Sequence, residues 1–204
     1  MNQINKINKI NFSFYQFGPI LAKYKLNNEF INTLLTKGTK SNIDISSKLA
    51  GHIDNEKEFS KQDKDWFLNE TQEIFLNYLE YLKINSLKKP NIKTLSLKKL
   101  WINFMKKGEF NPIHHHTGDI SFVIYTEVPN ELIIENKNFK GIGSGPGTIN
   151  FLHGEMSDSY KTEYNMLPST GDMFIFPASL RHYVPPFKSD CLRSSVSGNF
   201  KFEY

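Results

Sequence analysis

Gly108–Pro129, GEFNPIHHHTGDISFVIYTEVP, decides how the rest of the chain is read. Three histidines stand in a row, His114, His115 and His116, followed by the polar turn Thr117-Gly118-Asp119. Ile120–Tyr125 then has the β-branched and aromatic content of a strand. In an extended chain, side chains two apart share a face. His114 and His116 therefore point one way and His115 the other. Two imidazoles on one face at a strand end can chelate a metal, and a third ligand must come from elsewhere.

Working outward, Gly171–Pro186 reads GDMFIFPASLRHYVPP. A Gly-Asp turn opens it, Met173–Phe176 is a short apolar strand ended by Pro177, and His182 lies just beyond as the candidate third ligand. Imidazoles suit Fe, Zn, Cu and Ni alike. The middle ligand has two candidates. Strand periodicity favours His116, whereas Asp119 has the opposite parity and needs a bulge at Gly118. If His116 binds, Asp119 is expected to support catalysis from behind the ligands, orienting one or accepting an imidazole N–H. Arg193 sits in CLRSSVSGNFKF (Cys191–Phe202), which alternates like a strand and puts Arg193 and Ser195 on one face. A guanidinium fork beside a hydroxyl suits a buried carboxylate. Tyr125 and Asn103, on two other candidate strands, can complete such a pocket.

The 204 residues suffice for one domain with a substantial core, and 17 phenylalanines favour a β-rich one. A net charge of +4, with Lys and Arg scattered, gives no nucleic-acid patch. The single cysteine, Cys191, excludes an internal disulfide and points to a reducing cytoplasm, that of a bacterial host if the chain is phage-encoded. No stretch approaches the apolar length of a membrane span, and MNQINKINKINF lacks a signal-peptide core. A soluble protein is expected.

In chain order, residues 1–9 are polar. Phe12, Phe14 and Phe17 alternate before a Gly18-Pro19 turn, and Asn27-Asn28 can cap a short helix, Glu29–Leu35, closing near Gly38. Residues 38–62 read as a loop. Asp63 or Asp65 can cap a helix to about Ile84, whose stripe of Phe67, Thr71, Ile74, Phe75, Tyr78, Leu79 and Leu82 should pack on a sheet. After Pro90 only strand patterns are expected: Thr94–Met105, Ile113–Val128, Glu131–Glu135, Thr148–Leu152, Met173–Phe176 and Cys191–Phe202. They predict a mainly β sandwich or barrel with N-terminal helices. Residues 1–90 should form the strand-and-helix cover and 91–204 the β-core, as one structural domain. The glycine-rich loop 136–147 lacks a phosphate-binding ending. With the polar stretch 153–168, which holds Glu155, Asp158, Tyr160 and Glu163, it should flank the open face.

Over residues 98 to 202 the chain resembles the 2-oxoglutarate–Fe(II) oxygenases of bacteriophage and bacterial genomes, in the wider prolyl-hydroxylase-like group. Trp101-Ile102-Asn103, the HHHTGDISFVIY block, FPASLRHYVPP and LRSSVSGNF carry the resemblance. It implies a double-stranded β-helix (jelly-roll, cupin-like). It also implies Fe(II) on His114, His116 and His182, with the distal carboxylate of 2-oxoglutarate on Arg193 and Ser195. O₂ is then the second co-substrate, and a C–H bond, in a protein or peptide and prolyl-type, is hydroxylated. The sequence departs from the usual two-His, one-carboxylate triad at His116; an all-His set is one unit more positive and favours an anionic co-substrate. The alternative is a cupin-like metal-binding protein without 2-oxoglutarate turnover, a binding module or isomerase that does not require Arg193.

Overall fold

The computed structural model describes residues 10–16, 18–85, 91–155 and 161–204. The expectations for residues 1–9, Phe17, Pro90, Asp158 and Tyr160 lie outside them. Among the described residues there are twelve strands and three helices. The N-terminal part holds β1 (Asn11–Gln16), β2 (Ile20–Lys25), α1 (Asn28–Lys40), β3 (Ile43–Asp44), β4 (Glu56–Glu58) and α2 (Lys61–Asn85). Then come β5 (Thr94–Met105), β6 (Asn111–His114), β7 (Ile120–Glu127), α3 (Asn130–Lys137), β8 (Ile149–Leu152) and β9 (Glu163–Met166). The chain ends with β10 (Asp172–Pro177), β11 (Arg181–Val184) and β12 (Arg193–Glu203).

The strands form two antiparallel sheets. The larger has the order β1-β2-β10-β7-β12-β5-β4-β3 and the smaller β6-β11-β8-β9, an arrangement consistent with a jelly-roll. Strand alternation sorts the apolar side chains into two cores. Phe122, Ile124, Met173, Ile175, Ile102 and Phe200 share one with Phe67, Ile74, Phe75 and Tyr78 of α2. There Phe67 stacks on Phe122 with centroids 5.2 Å apart, and Phe75 meets Phe200 at 4.4 Å. Val123, Tyr125, Phe174 and Phe176, from the opposite face, share the second core with Ile149, Phe151 and Val184 of the small sheet. A strand buried on both faces reads as a continuous apolar run, which is why β7 shows so little polar alternation.

Several boundaries differ from expectation. Glu131–Glu135 is helical. Pro129 stands at the N-cap without a side-chain capping bond, Glu131 in the first turn and Lys137 in the last suit the helix dipole, and burial of Leu132 alone docks it. Its β-branched residues, Ile133 and Ile134, are exposed, so their strand preference carried no packing. Helix α1 runs past Gly38 to Lys40 because that glycine is a close-approach point: a Cβ there would lie 2.6 Å from Ile102 Cδ1. Asn27 Oδ1 caps α1 by accepting from Phe30 N at 2.8 Å. Helix α2 starts earlier than expected, with Ser60 Oγ accepting from Asp63 N at 3.1 Å. The loop 38–62 contains β3, β4 and a 3₁₀ turn, Ser46–Lys48. Ile113–Val128 is two strands, β6 in the small sheet and β7 in the large one. At Gly118, φ is +115°, and a Cβ would meet Phe200 O at 2.8 Å, so the crossing between sheets requires glycine. β9 and β11 are short strands that the sequence pattern did not resolve. No described helix is long and apolar enough to cross a membrane.

Candidate metal and co-substrate site

His114 ends β6 and His182 lies in β11, where the two are cross-strand partners. Their ring centroids are 4.3 Å apart. His116, two residues past His114, turns back to the same place, 4.9 Å from His114 and 5.0 Å from His182 by centroid. One ligand atom from each of the three lies within 4.8 Å of the other two. His115 is exposed.

Two of the rings are oriented by backbone carbonyls. His114 Nδ1 is 2.7 Å from Pro112 O, and His182 Nδ1 is 2.9 Å from Leu180 O. A carbonyl only accepts, so each Nδ1 carries the proton and each Nε2 keeps its lone pair, the tautomer a metal needs. Burial pushes His116 down to about 2 and His182 down to about 3, and neighbouring imidazoles add to the effect. All three rings are therefore neutral near pH 7 and form a nitrogen-only set that can hold a transition metal.

Asp119 is not part of this cluster. Its Oδ2 accepts from Phe202 N at 2.7 Å, its N–H donates to Phe200 O at 2.8 Å, and its carbonyl accepts from Ala178 N at 3.0 Å. His116 N donates to Ala178 O at 2.9 Å, so Asp119 ties β12 to the turn that carries His116.

Arg193 opens β12 and is 2% exposed. Its Nη1 donates to Gly147 O at 2.9 Å, and its guanidinium lies 5.2 Å from the centre of the Tyr125 ring. Its Nε has no hydrogen-bond partner, and neither does the Tyr125 hydroxyl. Burial lowers the Arg193 pKa, though a guanidinium is not deprotonated in proteins, and raises that of Tyr125 to about 12, so the tyrosine keeps its proton. A buried cation with a free N–H beside a free hydroxyl is incomplete by itself, and a carboxylate completes it. Ser195 is the cross-strand partner of both Asn103 and Tyr125, so these three join Arg193 on the inner face. Asn103 Nδ2 approaches Ser195 Oγ at 3.4 Å.

A single cavity of about 310 Å³ contains the three histidines, Arg193, Ser195, Tyr125 and Asn103. Its lining also includes Lys48, Leu49, Ala50, Gly51, Glu56, Lys99 and Trp101. The sequence pattern does not point to the 48–51 segment or to Glu56, which lie in the expected loop 38–62. The described parts of 136–147 and 153–168, expected to flank the opening, contribute no lining residue. In the latter, Lys161 Nζ sits 3.8 Å over the Tyr164 ring.

Two facing antiparallel sheets, a three-histidine cluster between strands and a buried arginine in the same cavity define a mononuclear-metal enzyme that uses an anionic co-substrate. The family described as "Putative 2OG-Fe(II) oxygenase" matches residues 99–199, which hold every one of these residues. Over residues 99–199 the sequence is that of a 2-oxoglutarate–Fe(II) oxygenase, with iron as cofactor and 2-oxoglutarate as co-substrate. No curated protein matches it in sequence. Its fold is similar to that of a Pseudomonas putida prolyl-4-hydroxylase, at TM-score 0.60 and 12% identity over 98% of this chain and 97% of the other. It is also similar to the viral collagen prolyl hydroxylase of Paramecium Bursaria Chlorella virus-1, solved with 2OG, at TM-score 0.58 and 12% identity, covering 88% and 94%. HygX of Streptomyces hygroscopicus, solved with nickel and 2-oxoglutarate, matches at TM-score 0.52 and 8% identity, covering 89% and 82%.

Proposed function

We propose that Fe(II) is held by His114, His116 and His182, and that Arg193, with Ser195, Tyr125 and Asn103, receives the distal carboxylate of 2-oxoglutarate. The observation that carries this reading is the cavity shared by three neutral imidazoles and a buried arginine whose Nε lacks a partner. A cupin-like protein without 2-oxoglutarate turnover has no use for so costly a buried cation. The primary substrate in this reading is a protein or peptide, hydroxylated at a C–H bond and of prolyl type. Similarity in fold to two prolyl hydroxylases supports that choice. We also read residues 1–90 as the cover of the β-core 91–204 within one structural domain.

Iron, when bound with 2-oxoglutarate and O₂, supplies the oxidising chemistry, in which 2-oxoglutarate goes to succinate and CO₂ and one oxygen atom enters a C–H bond. The chain does the rest. Pro112 O and Leu180 O fix two imidazole tautomers, so no proton has to leave before metal enters. Arg193 and Tyr125 offer donors in a site shielded from water, where a charge-assisted hydrogen bond is strong. Asp119 holds the turn that carries His116. The experiment is succinate release from 2-oxoglutarate by the iron-loaded protein with a peptide library, read with mass spectrometry. A +16 Da peptide is expected. Turnover of a free amino acid with no modified peptide overturns the peptide reading.

A further inference from the structure

The cavity has two ends of opposite hydrogen-bonding demand. At the Arg193 end the groups without partners are donors, Arg193 Nε and the Tyr125 hydroxyl. At the other end they are acceptors, Glu56 Oε2 and Asn103 Oδ1. Glu56 on β4 is the cross-strand partner of Asn103 on β5, which pairs with Ser195 on β12, which pairs with Tyr125 on β7. Cross-strand partners project from the same face of a sheet. The four residues thus form one polar row across four strands, with tyrosine at one end and glutamate at the other.

Glu56 is 1% exposed and its backbone is held from both sides. Its N–H donates to Ser46 Oγ at 3.0 Å, and its carbonyl accepts from Ile45 N at 3.0 Å. Its carboxyl makes no ion pair among the described residues. Lys48 and Lys99 line the same cavity without pairing to it. The charges that act on it are acidic, Glu109 and Asp44, and with burial as the larger cause they raise its pKa to about 8. A buried carboxyl serving only the fold would be matched to a donor. Leu49 and Trp101 line the cavity with it, and the Trp101 ring is 5.7 Å from that of His116. A group lying between Glu56 and Trp101 is therefore beside the metal cluster.

We propose that Glu56 determines substrate specificity by receiving a cationic nitrogen, ammonium or guanidinium, of the primary substrate. Glu56 releases its proton to solvent as the cation binds, the resulting carboxylate supplies the counter-charge, and Asn103 Oδ1 is a second acceptor. Leu49 and Trp101 flank the apolar stem and the face of the cation, as suits a lysine or arginine side chain. The inference rests on the reading that the primary substrate is a peptide entering this cavity.

The test uses capped Ala-Arg-Ala, its lysine and citrulline counterparts, and free L-arginine and L-citrulline, titrated anaerobically into protein loaded with Fe(II) and 2-oxoglutarate. Citrulline keeps the shape of arginine but carries a carbonyl oxygen in place of one guanidinium NH2, which removes the charge together with the donors of that group. A hydrogen bond to a charged group corresponds to about 10- to 100-fold in affinity. At least one cationic peptide is expected to bind the wild type about tenfold or more tightly than the citrulline peptide, and Glu56→Gln should bring that ratio to about one. Being a ratio within one protein, it is insensitive to an overall loss of folded material. Equal or absent binding of cationic and neutral probes by the wild type overturns the proposal, as does a ratio preserved in Glu56→Gln. Discrimination confined to the free amino acids leaves Glu56 in this role and overturns the peptide reading.

Discussion

His182 is the cross-strand partner of His114, on a strand pair that joins the two halves of the cluster through backbone hydrogen bonds rather than loops. Two of the proposed ligands are thus fixed by sheet register, and the third, His116, is fixed by the Ala178 carbonyl on the segment just before β11. His182→Ala and His116→Ala should each abolish Fe(II) binding, whereas His115→Ala, which removes an exposed ring, should leave one iron per chain. Metal titration with each variant checks this, and equal losses for His115 and His182 would show the wrong set.

The approach of His114 and His116 was legible from their spacing of two, but β6 ends at His114, and His116 reaches the cluster beyond the strand, held by the Ala178 carbonyl. The arginine pocket was readable for the same reason, since Arg193 and Ser195 are two apart. What periodicity does not reveal is contact between distant segments. Glu56 lies in a polar stretch with no pattern, and its burial follows only from the pairing of β4 with β5. Likewise Glu131-Leu132-Ile133-Ile134-Glu135 has strand-like composition, and its helix goes with end charges that suit the dipole and a single buried leucine. The role of Asp119 depended on where Gly118 turns the chain, and at φ +115° it turns the carboxylate to the Phe202 amide.

Arg193→Ala should weaken 2-oxoglutarate binding by two orders of magnitude or more. Removing one partner of a buried charged pair costs about 3–5 kcal/mol, and about 1.4 kcal/mol is tenfold. Arg193→Lys should recover little, because a lysine cannot both reach Gly147 O and present a fork to a carboxylate. Calorimetry on the iron-loaded protein reads both, and an unchanged affinity in Arg193→Ala would remove the arginine from the co-substrate site.

Asp119→Ala should keep iron but lower turnover. The variant leaves the Phe202 amide without its acceptor and loosens the turn that carries His116. Loss of that charged hydrogen bond is worth about 1–3 kcal/mol of stability, and residues that orient ligands change activity by about 10- to 100-fold. Turnover equal to wild type at unchanged iron content would confine Asp119 to the fold.

Iron affinity should vary little between pH 6 and pH 8. In the metal-free fold burial already holds His116 and His182 neutral, with pKa values of about 2 and 3, so protons do not compete with metal in that range. The same shifts have an effect on stability. Below the ordinary histidine pKa of about 6.5, the unfolded chain binds protons that these two rings refuse. The metal-free protein should therefore lose stability as pH falls from about 6.5, by up to about 1.4 kcal/mol per pH unit for each ring. Urea denaturation of the metal-free Glu56→Gln variant at pH 7, 6 and 5 measures this without the opposing titration of Glu56, and a flat profile would mean that the rings are hydrated rather than buried.

Glu56 produces the opposite slope over a range that overlaps that of the histidines. Its folded pKa of about 8 lies above its ordinary 4.5, so between these values the folded protein holds a proton that the unfolded chain has released. Stability from this group is complete below about pH 4.5, declines as pH rises toward 8, and is level above. One proton corresponds to up to about 1.4 kcal/mol per pH unit across that window. Burial is the larger cause of the raised value, and Glu109 and Asp44 add to it. Glu56→Gln is neutral at every pH and should abolish the slope, so the wild type should lose stability relative to the variant from pH 5 to pH 8. The histidines are common to both proteins and cancel in the difference. Parallel denaturation curves for the two across that range would show a Glu56 carboxyl that is ionised in the fold, already matched by a cation or by water.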